Sequence, residues 1–125
     1  MGTQKNESPC KCEKDDYLVV ACSGAADVGY ISDQVSRRLS LNNIRKMSCL
    51  ALIASCDSEE IEKFKKKNIL VIDGCSEDCG KKIMENRGIT DYPYLRITDI
   101  GFEKGKTPTS HETIKAVYNK AEVFT

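Results

Sequence analysis

The chain has no excess charge of either sign. Nineteen basic residues balance 19 acidic ones, and charged residues make up 30% of the 125. That neutrality gives no electrostatic hold on nucleic acid or on an anionic membrane surface, so neither is expected as a partner. Long apolar runs are missing too. The longest, of the kind seen at Ile69–Ile72, fall far short of the about 20 residues that span a bilayer. No charged, then apolar, then small-residue leader opens the chain. Gly2 is not followed by Ser or Thr at position 6, where Asn6 stands, so no myristoylation signal is read. The expectation is a soluble, cytoplasmic protein. Histidine is nearly absent: His111 is the only one, and it lies beside a predicted helix cap. No paired carboxylates, nucleotide-binding glycine pattern or Ser–His arrangement is found.

Cysteine is what the chain does have, with seven in all. An odd count, a single His and no leader argue against a secreted disulfide framework. In a reducing compartment, clustered cysteines more often bind metal or do redox chemistry. The length suits one domain with a core that needs no staples. Met1–Asp16, polar and containing Pro9, is read as a flexible arm that carries Cys10 and Cys12, and residues 17–125 as a single α/β domain.

Within that domain, strands and helices are expected to alternate. Tyr17–Ala21 is a buried strand, followed by a helix capped by Asp27, with Val28, Ile31, Val35 and Leu39 on its apolar face. A second strand starts near Arg45 and runs towards an apolar stretch, Cys49–Ala54, whose type a short run does not decide. Asp57 and Glu60 form a capping box. Ile69–Ile72 reads as a strand buried on both faces, stopped by Asp73 and Gly74. A helix is expected from Ser76 to Gly88, then an edge strand at Tyr94–Thr98, and a last helix starting at Thr109. This βαβαβαβα order implies a three-layer α/β/α domain with a mostly parallel, Rossmann-like sheet of about four strands. Its ligands should lie outside the carboxyl ends of the strands.

The topology brings Cys22, after the first strand, to that edge together with Cys75 and Cys79, after the third. The second strand offers Cys49 if it is short and Cys56 if it is long. Four thiolates saturate a structural zinc ion. The small residues of Cys22–Asp27 would also let backbone N–H groups approach an anion. A phosphatase loop would put an Arg six positions after its Cys, where this chain has Val28, so phosphatase chemistry is not expected. Close packing of helix on sheet explains the same residues equally well.

Three blocks, Cys22–Gly29, Lys46–Ala51 and Ile72–Cys79, resemble the DGC-domain family, which takes its name from a central Asp-Gly-Cys and is described as zinc-binding. The likeness spans about Tyr17 to Lys106. It implies Cys22, Cys49, Cys75 and Cys79 as zinc ligands and so a short second strand. The chain departs from the family pattern after Cys49, with Leu52–Ser55 where glycines are usual.

Three readings of function follow. The first is a zinc-binding protein with a four-cysteine site, used in metal handling or partner binding. The second is a thiol-based redox or sulfur-transfer enzyme acting through Cys22 or Cys75, since helix starts lower thiol pKa. The third is an iron–sulfur protein. A protein partner, or a small anion at the Ser23–Asp27 loop, is compatible with the first.

Overall fold

Leu18–Ala21 and Ile69–Ile72 are apolar at every position, and such strands are stable only with both faces covered. The computed structural model, which describes residues 16–124, sets them side by side at the centre of the sheet. β1 (Tyr17–Ala21) pairs in parallel with β3 (Asn68–Asp73), Leu18 opposite Ile69 and Ala21 opposite Ile72. β2 (Lys46–Met47) adds in parallel on the outer side of β1, and β4 (Tyr94–Arg96) on the outer side of β3. The order is β2-β1-β3-β4, so the chain forms one parallel four-stranded sheet in a single α/β domain. Cys10 and Cys12 lie outside the described residues.

Alternation along the strands divides the core in two. Val19, Leu70 and Ile72 meet α1 (Asp27–Leu41) and α5 (His111–Glu122) through Ile31, Val35, Leu39, Ile114 and Val117. Leu18, Val20, Ile69 and Val71 meet α2 (Leu50–Ser55), α3 (Ser58–Lys65) and α4 (Cys79–Asn86) through Ile53, Ile61, Phe64 and Met84. Helices thus cover both faces of the sheet, five among the described residues. Most of these side chains are fully buried, and each contributes about 1.5–3 kcal/mol relative to exposure.

Several expectations shift. β2 is two residues long, the short form of the second strand, and lies at an edge of the sheet. The apolar stretch after Cys49 is helical, as its Leu and Ala content favours. Strand pairing at the other edge ends at Arg96, and Ile97–Ile100 forms a 3₁₀ turn closed by Gly101 at positive φ. α5 is capped by Ser110, whose Oγ accepts from Thr113 N, one residue later than Thr109. α3 is capped as read, with Asp57 accepting from Glu60 N at 2.9 Å.

The reversal of direction between β1 and β3 is what positions the site. From β1 the chain leaves towards β2, and from β3 it leaves towards β4 on the other side. The loops after β1 and β3 therefore diverge and leave a crevice between them, the switch point where open α/β sheets take their ligands.

Candidate functional site

Cys22 is the first residue past β1, and its backbone N–H still donates to Ile72 O at 3.0 Å, so it stands at the mouth of the crevice. Its own carbonyl accepts from Ser32 Oγ on α1. Cys75 lies two residues beyond β3 and packs against the α1/α5 core. Cys79 opens α4. The three share one electrostatic neighbourhood: Cys22 and Cys75 both act on the Cys79 thiol. Although Cys79 is exposed as a residue, its thiol pKa is pushed up. Desolvation of the sulfur is the main cause, followed by the Cys22 and Asp73 charges, the hydrogen bond to Cys22, and Cys75.

Glycines bring these loops together. A Cβ on Gly29 would lie 2.7 Å from the carbonyl oxygen of Gly24, and one on Gly74 would lie 2.9 Å from Val28 Cγ2. The first turn of α1 is thus in backbone contact with both cysteine-bearing loops. This is the close-packing use of the small residues. Asp27 does not cap α1, whose N-cap is Ala26. Its carboxylate instead accepts from Gly105 N at 3.0 Å and Thr107 N at 2.9 Å, and these bonds, with one from Val28 N, hold it below the usual carboxylate range.

Asp73 has a role that the sequence only hinted at. Fully buried at the end of β3, its carboxylate accepts from Gly80 N at 2.8 Å, Lys81 N at 3.1 Å and Tyr94 Oη at 2.8 Å. It satisfies the first free N–H groups of α4 from the preceding strand. This is why α4 starts at Cys79 and not at Ser76. Gly80 is required at this point, because a Cβ there would stand 2.7 Å from Asp73 Oδ1 and 2.8 Å from Val71 Cγ1. Asp78, at φ 56°, is held by Arg96 through Nε at 2.8 Å and Nη2 at 2.5 Å. The Arg96 hydrogen bonds lower the Asp78 pKa, and burial with the Asp73 hydrogen bond raises that of Tyr94. Cys79 therefore projects from a helix start clamped on three sides.

Cys49 is the N-cap residue of α2, exposed, and lines a cavity with Ala21 and Ser23. It shares the carboxyl edge, but it follows β2, one strand spacing from Cys22 and two, roughly 10 Å, from Cys75. Cys56 packs into the α2–α4 core beside Arg87, whose Nη2 donates to the Cys56 carbonyl at 2.6 Å. His111 has its Nδ1 2.8 Å from Arg38 Nη2, on the α1/α5 face. The donor set of Cys22, Cys75 and Cys79, with Cys49 across the loop, suits a thiophilic cation. As the side chains stand, no three His, Cys, Asp or Glu among the described residues are arranged to hold an ion. No helix among the described residues is long and apolar enough to cross a membrane.

Fold and site together define a doubly wound α/β domain with a thiol cluster at its switch point. The model of the DGC domain matches residues 18–121, and the chain belongs to that family. A curated relative, the "Anaerobic and virulence modulator AnvM" of Pseudomonas aeruginosa PAO1, is 26% identical over 88 residues, which is 70% of this chain and 67% of the relative. No solved structure matches the chain.

Proposed function

We propose that the protein is a zinc-binding module whose site is built on Cys22, Cys75 and Cys79, with Cys49 as the fourth thiolate. The observation that carries the reading is the placement of Cys22, Cys75 and Cys79 on the two loops at the switch point, on backbone that Asp73, Gly29 and Gly74 fix in place. Zinc, when bound, would link the ends of β1 and β3 and draw in α2. The chain's own part is to present the sulfurs on a preset frame. A fourth thiolate would close the coordination shell, which favours metal handling or partner binding over turnover. The name of the Pseudomonas relative, a modulator, leans the same way.

The test is metal analysis of reduced protein, with cobalt substitution to reveal sulfur-to-metal charge transfer. About one equivalent of zinc is expected, lost in Cys75→Ser. An iron–sulfur absorption band in place of zinc would replace the metal, and absence of any bound metal in reduced protein titrated with zinc would sink the reading.

A second reading rests on the influence of Cys22 on the Cys79 thiol across the crevice. Two such thiols, once in contact, can give up two electrons and two protons to a disulfide oxidant and form a bond. Rapid Cys22–Cys79 crosslinking in zinc-loaded protein, found by mass mapping, would favour that thiol-redox reading over a closed zinc site.

A further inference from the structure

Beside the thiols, between α1 and α2, lies a cavity of about 850 Å³. That is the size of sites that hold small organic ligands, and it opens at the carboxyl edge over β1 and β2. Met47, Leu50 and Ile83 give it apolar walls. Its polar lining is Ser48 and Cys49 at the α2 start and a set on the α1 side whose side chains are already committed. Ser23 Oγ donates to Asp33 Oδ1 at 2.8 Å, and Arg37 Nε donates to Asp33 Oδ2 at 2.7 Å, so both oxygens of the one carboxylate are taken. Ser40 Oγ accepts from Met47 N at 3.2 Å and ties β2 to α1. The uncommitted charge on this wall is the outer end of the Arg37 guanidinium, 60% exposed as a side chain and held by Asp33 one helical turn earlier.

An apolar hollow with one anchored cation at its rim is complementary to an amphiphilic anion. The geometry points to a binding site for a small monocarboxylate with an apolar tail. The tail lies on Met47, Leu50 and Ile83, and the carboxylate takes the terminal N–H groups of Arg37. This site adjoins the proposed thiolate site through Cys49, which lines the cavity, but the tail and carboxylate contacts use other residues, so metal content and ligand titration score the two separately.

The experiment is calorimetric titration of the full-length protein with octanoate, and with octanol as the neutral probe of equal length. Octanoate should saturate at one per chain and bind more tightly than octanol. Arg37→Gln should weaken octanoate about tenfold, the worth of one charge-assisted hydrogen bond at a partly open rim, and leave octanol unchanged. Arg37→Lys should keep most of the affinity. Ala51→Trp, at an exposed position on the wall, should weaken both probes by filling the hollow. Failure of octanoate to saturate, equal losses of both probes in Arg37→Gln, or unchanged binding in Ala51→Trp would each overturn the proposal.

Discussion

The two ends of the sheet are built on opposite terms. At the amino end, Arg45 is buried to 1% exposure, with Nη1 donating to Leu18 O at 2.9 Å and Asn68 O at 3.2 Å and Nη2 to Phe124 O at 3.0 Å. Tyr17 stacks on it at 5.4 Å. One side chain ties the starts of β1 and β3 to the end of the chain, and only Nε lacks a partner among the described residues. At the carboxyl end, the Asp73 and Asp27 carboxylates are satisfied with equal care, yet the thiols beside them are free. A buried guanidinium matched by carbonyls is a structural clasp. Thiols carried on a fixed frame, half-buried to exposed, are placed where a ligand can reach them.

The largest expected effect tests the clasp. Arg45→Met keeps the apolar volume and removes the donors to three carbonyls, so it should cost about 3 kcal/mol in urea unfolding. Zinc content should not change. Loss of metal in this variant would show that the two ends are not independent.

Next comes the frame of the site. Asp73→Asn retains one acceptor oxygen where the carboxylate served Gly80 N, Lys81 N and Tyr94 Oη. It should cost about 2 kcal/mol and weaken zinc binding, measured by chelator competition. Equal stability loss with unaltered zinc affinity would make Asp73 a structural cap alone.

The legibility of these two regions in the sequence differs for a physical reason. Ile69–Ile72 announces a buried strand in its own residues, and the parallel order follows from alternation. Local caps were readable where cap and helix adjoin, as at Asp57. The cap of α4 comes from Asp73, six residues before Cys79, in the preceding strand, and nothing local distinguishes it from a turn residue. Arg45 was invisible as a clasp because its partners are backbone carbonyls 27, 23 and 79 residues away. The edge position of β2 turns on pairing partners, which a two-residue strand does not advertise. Strand ends placed Cys22, Cys75 and Cys79 at one edge from the sequence. The cavity was missed, because it is made by the gap between α1 and α2 and not by any motif.

A smaller effect separates the cysteines. Cys56→Ser should keep zinc and cost about 1 kcal/mol or less, as a half-buried thiol in the α2–α4 core. Cys75→Ser should lose zinc with a comparable cost in metal-free protein. Metal-dependent melting of the two variants checks this. Equal zinc loss in both would move the site towards α2.

The smallest effect asks whether the carboxyl end owes any of its order to charge. Asp27 sits beside the thiol loops, and backbone N–H groups of Gly105 and Thr107 are the main causes of its lowered pKa. Folding therefore favours its ionised form. The resulting stability is complete above the unfolded pKa, near 3.8, and is lost as pH falls through the lower folded value. Asp27 is partly exposed, so solvent screening keeps the contribution modest, about 1 kcal/mol or less. Asp27→Asn should thus unfold at lower urea than the parent at pH 7, and the gap should narrow as pH falls below the unfolded value of 3.8 and the parent's carboxylate takes its proton. A gap that stayed constant over that range would assign the loss to the shape of the turn, and the carboxyl end would then be held, like the amino end, by geometry rather than by a titrating charge.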